Sequence, residues 1–301
     1  MTIAKVHHKP IVSYYGGKQK LVSKILPHFP QHTVYAEPFC GGATMLFAKP
    51  YLHTGNNNNY REVINDVNDD LITMYRVAKE QPEQFFARID ATLYSQSDDK
   101  KARKILKERT SNDPLDIAWA VYLQCNMSFA NCMFGGWGTS VKNHNEAITF
   151  NNRKARLKAV LERIAQTHIS NEDALACLKR WDSPQTLFYI DPPYIDANQG
   201  HYAGYTREDF TNLIDTLKNI KGSFVLSCYP NDVVPADWTR VDFAAAMSAA
   251  KRKDLDKKRT ESIWIKDSNC QDPYILDLYK KQRLCFPELF PNKQLEIACV
   301  S

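Results

Sequence analysis

The chain has 301 residues, 44% of them hydrophobic and 24% charged, and a formal net charge of +5. Those values exclude a disordered or fibrous chain and suit one large globular domain, or a core domain carrying an insert. The positive balance is compatible with nucleic acid and does not by itself identify it. Eight cysteines are present, with no CxxC pair and no Cys/His spacing of a zinc site, so no metal is expected. Met1 to Pro10 has no apolar core of a signal peptide, and no apolar run reaches the ~18 residues that a membrane span needs. A reducing cytoplasm with free thiols is the expected setting.

Ile11-Val12-Ser13-Tyr14-Tyr15-Gly16-Gly17-Lys18 opens the readable pattern. Its glycines permit a tight turn and close approach to a ligand. Lys18 adds a positive charge ahead of Leu21, Val22, Ile25 and Leu26, which have helical spacing. A phosphate loop is excluded, because the GxxxxGK spacing is absent and Gln19 follows Lys18. Two readings stay open: a lysine and an aromatic reaching a small anionic cofactor, or a plain helix-start turn.

Val34 to Phe47 reads as a strand, a Gly41-Gly42 turn and an apolar helix. This is the form of a first βα turn in a cofactor-binding unit, without the glycine fingerprint for a dinucleotide. Glu62 to Asp66 is a second strand ending in an acid. Asp66 lies 25 positions after Gly41 (66 − 41), near where an acid takes ribose hydroxyls in dinucleotide folds. Its other reading is a helix N-cap. Leu71, Ile72, Tyr75 and Ala78 mark one helix face.

From about Pro82 to His144 the alternation of strand and helix stops. Phe85, Phe86, Ile89 and Leu93 suggest a helix, and Ile117 to Leu123 another. Between them, Lys100, Lys101, Arg103, Lys104, Lys107 and Arg109 form a basic cluster, either a solvated face or a phosphate-binding one. Cys125 to Ser140 mixes amides, aromatics, hydroxyls and glycines, which are base-edge hydrogen bonders, stacking groups and flexible backbone. Asn126, Ser128 and Asn131 are the expected base-edge readers. Phe134 or Trp137 is the expected wedge where a base leaves the helix.

Asn151 to Gln166 reads as one basic amphipathic helix, and His168 to Asp173 as a third strand ending in an acid. Thr186-Leu187-Phe188-Tyr189-Ile190 is a buried strand that stops at Asp191, because Pro192 and Pro193 cannot continue a ladder. An acid, two prolines and Tyr194 therefore lie at the carboxyl end of a strand, where open α/β sheets bind ligands. Asp191 and the Pro192 carbonyl can accept the two hydrogens of an exocyclic amine, and Tyr194 offers a face for base stacking, worth ~1–3 kcal/mol. A strand ending in a Pro-Pro turn with a capping Asp is the alternative. Beyond it come a helix from Thr206 to Ile220 with Thr206 as N-cap, a strand from Gly222 to Cys228, and strands over Thr239 to Ala246 and Thr260 to Ile265. Lys251 to Arg259 is expected to be an exposed charged loop, and Asn269 to Ser301 has no clear period.

In order, Tyr14-Tyr15-Gly16-Gly17-Lys18, Glu37-Pro38-Phe39-Cys40-Gly41-Gly42, Asn65-Asp66, an irregular insert, Asp191-Pro192-Pro193-Tyr194 and Lys258-Arg259-Thr260-Glu261 resemble the Dam-like (D12 class) N6-adenine-specific DNA methyltransferases. The resemblance covers roughly residues 10–80 and 150–266. It implies an α/β fold: a Rossmann-like S-adenosylmethionine-dependent methyltransferase sheet with a mostly helical target-recognition insert. The catalytic domain would take residues 1–81 and 150–301, and the insert 82–149.

By the same resemblance, Tyr14 and Lys18 contact S-adenosylmethionine, Phe39 and Gly41 border it, and Asp66 takes its ribose hydroxyls. Asp173 lies near its adenine and Asp191 near its amino group. Asp191, Pro192, Pro193 and Tyr194 form the catalytic tetrad around a flipped adenine. The implied reaction is methyl transfer to adenine N6 in double-stranded DNA, by a cytoplasmic monomer or weak dimer that needs no metal, in a restriction-modification setting or another. The insert lacks the Arg-Tyr-Asn run, followed by Phe-Asn, of the GATC-reading members. Two rivals stand beside this reading: a cytosine-N4 methylase, whose tetrad more often begins with Ser, and a catalytically silent DNA-binding protein on a methylase fold.

Overall fold

The computed structural model describes residues 9–14, 16–51, 60–129, 133–140, 145–195, 204–244 and 260–268. Among the described residues, seven strands form one sheet: β1 (Val34–Glu37), β2 (Arg61–Asn65), β3 (His168–Ser170), β4 (Thr186–Ile190), β5 (Ser223–Cys228), β6 (Thr239–Ala244) and β7 (Thr260–Lys266). Their order is β3-β2-β1-β4-β5-β7-β6. The first five run parallel, and β7 enters antiparallel between β5 and β6. The order reverses between β1 and β4, which pair directly, with Ala36 opposite Phe188. That reversal opens a crevice at the strands' carboxyl ends.

A central parallel strand is buried on both faces, so it reads as an unbroken apolar run. β4 meets this condition along its whole length. Leu187 and Tyr189 face one layer with Tyr35, Ile64, Val225 and Ile263. Phe188 and Ile190 face the other, with Phe210, Leu213, Ile214 and Leu217 from α10 (Arg207–Asn219) and Leu178 from α9 (Ala174–Trp181). The period of two along the strand puts alternate side chains into different cores. α10 opens with the expected Thr206 cap, completed by Asp209 as a capping box. α9 was not among the expected elements: β3 stops at Ser170, and Asp173 caps α9 through Leu175 N and Ala176 N.

The first layer also holds α3 (Asp69–Glu80) and the helices of the expected insert, α4 (Pro82–Ala91), α5 (Gln96–Glu108) and α6 (Pro114–Met127). From Ala118 to Met127 every residue of α6 is buried, including Gln124 and Asn126. Phe85 and Ile89 anchor α4 as their spacing predicts, whereas Leu93 falls beyond its end and is exposed. The expected helix from Asn151 to Gln166 is instead two, α7 (Glu146–Lys154) and α8 (Leu157–Ile164). They serve different neighbours. Phe150 of α7 packs with Tyr94 and Tyr122 of the insert, while Arg163 of α8 donates to Glu62 Oε1 of β2 at 2.6 Å. The boundary at 149/150 falls within α7.

Glu37 closes β1 in the buried interior. Its Oε1 accepts from Tyr35 OH at 2.8 Å and from Leu46 N at 2.6 Å. Burial, the largest influence, pushes its carboxyl up to about 8 from 4.5. The unfolded chain releases this proton near pH 4.5 and the folded one near pH 8, so the stability from this group is full below 4.5 and is lost as pH rises through 8. Glu37→Gln keeps both acceptor bonds and carries no proton to release. Denaturant unfolding of the variant between pH 5 and pH 8 is expected to lose a slope worth on the order of a few kcal/mol in the parent. An unchanged slope would count against the assignment.

Candidate active site

The site begins at the N-terminal turn. Gly17 N donates to Tyr14 O at 3.0 Å, and Gly16 has φ of 78°, where glycine has no Cβ penalty. A Cβ on Gly17 would lie 3.0 Å from Tyr14 O. The turn delivers Lys18 to the carboxyl end of β4. There Lys18 Nζ donates to Asp191 Oδ1 at 2.8 Å, Asp191 Oδ2 at 2.9 Å and Gly16 O at 3.1 Å. It also lies 3.7 Å from Glu261 Oε1 and 4.8 Å above the Tyr194 ring.

Tyr194 OH donates to Glu261 Oε1, which also accepts from Ser227 Oγ at 3.0 Å. The Tyr194 ring stands edge-on to Tyr229, with centroids 4.6 Å apart. Burial disfavours the Lys18 ammonium, but Asp191 and Glu261 outweigh it and hold the amine above its ordinary range. Burial, aided by Glu261, holds the Asp191 carboxyl above its ordinary range against the pull of Lys18. Burial and the two carboxylates keep the Tyr194 phenol protonated.

The second half of the crevice lies beyond β1, β2 and β3. Asp66 is buried. Its Oδ2 accepts from Gly41 N and its Oδ1 from Asn68 N, both at 3.0 Å. Burial pushes its carboxyl up to about 6 against the backbone hydrogen bonds from Asn68, Gly41 and Val67. Asp66 is not the cap of α3: that is Asn68, whose Oδ1 accepts from Leu71 N. Asn68 Nδ2 donates to Tyr14 OH at 3.2 Å, which ties Tyr14 to the Asp66 loop. Asn65 Nδ2 bridges the first and third loops by donating to Pro38 O at 3.0 Å and Glu172 O at 2.9 Å. Gly41 adopts φ of 46°, and the half-buried Phe39 meets Tyr205 edge-on at 6.0 Å. Asp173 is exposed at the start of α9. A nucleoside suits this donor set: acidic acceptors for hydroxyls, an aromatic wall, and a backbone without Cβ at Gly41.

Several residues of the site carried no individual expectation. Glu261 stood only inside a motif, although an acid in the strand Thr260–Lys266 was a usable signal. Ser227, a hydroxyl in the fully buried β5, was another. Asn65 likewise stood only inside a motif, and Asn68, Tyr205 and Tyr229 had no distinguishing pattern.

The insert departs from expectation at named positions. Asn126 does not present its amide to a base. It is buried, donates to Tyr122 O at 2.9 Å and Ile11 O at 3.4 Å, and accepts from Ser13 N at 3.4 Å. Ser128 is buried and donates to Gln124 Oε1 at 3.4 Å. Arg103, expected to meet phosphate, donates instead within the chain, to Phe134 O at 3.0 Å and Gly135 O at 2.8 Å, fastening a hairpin in which Ser128 pairs with Trp137. Trp137 packs against Tyr94 at 5.7 Å. Phe129, 61% exposed at the base of the hairpin, is more open to solvent than the partly buried Phe134 and Trp137. Tyr15, Asn131 and the Lys251–Arg259 stretch lie outside the described residues.

A seven-stranded sheet of this order, with an acid-Pro-Pro-Tyr tetrad at its switch point, defines a Rossmann-like methyltransferase, which requires a methyl donor. The chain belongs to the D12 class N6 adenine-specific DNA methyltransferase family, whose sequence profile matches residues 14–261. It is similar to the type II methyltransferase M1.LlaDCHI of Lactococcus lactis subsp. cremoris, 25% identical over 74% of this chain and 81% of that protein. It is also similar to the retron Ec67 DNA adenine methylase of Escherichia coli, 21% identical over 86% of this chain and 92% of that protein. Among solved structures, the rRNA methyltransferase aviRa of Streptomyces viridochromogenes aligns over 88% of this chain and 89% of its own, at 10% identity and a TM-score of 0.36. Among the described residues, no helix is long and apolar enough to cross a membrane.

Proposed function

We propose that the crevice around Asp191 takes a flipped adenine from duplex DNA, and that S-adenosylmethionine lies beside it along Tyr14, Phe39, Gly41, Asp66 and Asp173. The observation that carries this reading is the cluster of buried Lys18 and Glu261 with half-buried Asp191 and Tyr194 at the end of β4. The donor supplies an electrophilic methyl group. Asp191 and the Pro192 carbonyl accept the two N6 hydrogens, which favours the tetrahedral nitrogen formed during attack. Pro193 fixes the backbone behind them, and Tyr194 provides the stacking face. As the N6–C bond forms and the C–S bond breaks onto sulfur, N6 sheds one proton. Asp191, whose carboxyl is raised by burial, is the acceptor in reach. Unstacking the base costs a few kcal/mol. The protein acts in the cytoplasm as a monomer or weak dimer. Nucleoside mass spectrometry of DNA treated with the protein and labelled S-adenosylmethionine should give N6-methyladenine. Methylated cytosine alone would shift the reading to the N4 rival, and no methylated base at all to the silent one.

Residues 82–149 act as the target-recognition insert. The support is the hairpin fastened by Arg103, the exposed Phe129 beside it, and exposed Lys100, Lys101 and Lys104 on α5. Phe129→Ala removes a stacking face worth ~1–3 kcal/mol. It should suppress the fluorescence rise of 2-aminopurine at the target position while duplex binding weakens less. Lys100→Ala and Lys104→Ala should weaken binding to all sequences alike and reduce the salt slope by about one per lost phosphate contact. An unchanged fluorescence rise in Phe129→Ala would remove Phe129 from base extrusion.

A further inference from the structure

We propose that Glu261 is a positioning residue for methyl transfer: it fixes the Tyr194 ring through its hydroxyl and gives the Lys18 ammonium a second seat when the target amine claims Asp191. The proposal rests on the reading of Asp191 as the acceptor of the N6 hydrogens.

A lysine ammonium has three N–H donors and no acceptor. All three are engaged: two on the Asp191 oxygens, at 2.8 and 2.9 Å, and one on Gly16 O at 3.1 Å. An adenine N6–H arriving at Asp191 competes for an oxygen that Lys18 holds. Each donor that Lys18 gives up is stranded in a buried site, where an unpaired charged group is costly. Glu261 Oε1, at 3.7 Å, lies just outside hydrogen-bond reach and needs only a small shift of a flexible side chain to receive that donor. The ammonium then stays neutralised while an Asp191 oxygen is released.

The strand explains why Glu261 is there. β7 runs antiparallel to β5, with Cys228 opposite Ser262, so the start of β7 lies at the carboxyl end of β5. Glu261 is buried, and a buried carboxylate persists only with partners. Its Oε1 gathers the Tyr194 hydroxyl and the Ser227 hydroxyl, and Lys18 lies beside it. The first of these bonds fixes the rotation of the ring on which the base stacks. The titratable groups facing Glu261 are Lys18 from the N-terminal turn, Tyr189 and the Asp191–Tyr194 pair from β4 and its loop, and Cys228 from β5. Across the ladder, β6 places Phe243 opposite it, and Asp242 bonds to Ser262.

The test compares the parent, Glu261→Gln and Asp191→Asn in steady-state methylation of a duplex across pH 5 to 9. Glu261→Gln should lower kcat at least tenfold with KM for DNA and donor within threefold. Because the Glu261 charge helps hold the Asp191 carboxyl up, its removal should also move the acid limb of the kcat profile to lower pH. Parent-like kcat, or a lower kcat with an unmoved acid limb, overturns the proposal. Glu261→Asp keeps the charge and withdraws the carboxylate from Tyr194, so kcat should fall severalfold with the limb in place. Should the Gln variant not fold, parent-like kcat in Glu261→Asp overturns the proposal in its stead. Parent-like turnover in Asp191→Asn would instead sink the assignment of Asp191.

Discussion

Asp191→Asn is expected to lower kcat by at least about a hundredfold, the low end for removing a preorganised transition-state group. The substitution preserves volume and leaves one oxygen for Lys18. It replaces the other acceptor by an NH2 that points donors at a nitrogen already carrying hydrogens. N6 then loses both the hydrogen bond that favours its tetrahedral form and the base nearest to its departing proton. Lys18 loses its charge partner at 2.8 Å and keeps only Glu261, at 3.7 Å, as a carboxylate neighbour. Duplex affinity should persist, because Phe129 and the α5 lysines, proposed above to hold the duplex, lie on elements other than β4 and its loop. A filter-binding measurement beside a single-turnover methylation assay separates the two quantities. Equal losses in binding and turnover would mean that the Asp191–Lys18 pair supports the fold rather than the chemistry.

The parts of this molecule that could be read from the chain are those where local chemistry decides the structure. Thr186 to Ile190 had to be a strand covered on both faces, and Asp191-Pro192-Pro193 had to end it. Gly41 had to turn, and Thr206 had to cap. What escaped reading depends on partners far along the chain. Asn126 looked like a base reader because its stretch mixes amides, hydroxyls and aromatics, the groups that bond to base edges and stack on bases. One of its donors goes to Tyr122 O a turn back, and the backbone at Ile11 and Ser13, more than a hundred residues away, takes the other donor and one acceptor position. Glu261 meets Tyr194 across 67 positions, because a late strand inserts antiparallel into an otherwise parallel sheet. The split between α7 and α8 has a similar origin: Phe150 packs on Tyr94 and Tyr122 while Arg163 bonds to Glu62 of β2, and no periodicity within Asn151 to Gln166 records those partners.

Asp66→Ala should weaken S-adenosylmethionine binding at least about tenfold, since hydrogen bonds to a charged acceptor contribute ~1.5–3 kcal/mol each. Both Asp66 oxygens are already aimed by backbone N–H groups, from Gly41 and Asn68 at 3.0 Å, and a carboxylate has further acceptor sites beyond these two. Removing the side chain therefore deletes a preset acceptor and loosens the Gly41 turn together. Asp66→Asn separates these effects, because its amide oxygen can still serve one backbone donor but carries no charge. The titration supplies an independent check. Burial holds the Asp66 carboxyl at about 6, so below that pH the ligand meets a protonated acid that must first ionise. The parent's dissociation constant should rise about tenfold per unit as pH falls below 6, and Asp66→Asn should bind weakly with no such dependence. Calorimetry with S-adenosylmethionine at pH 5, 6, 7 and 8 reads both. If the parent's affinity is flat across that range, the charge of Asp66 does not touch the donor, and its two backbone bonds are its whole role.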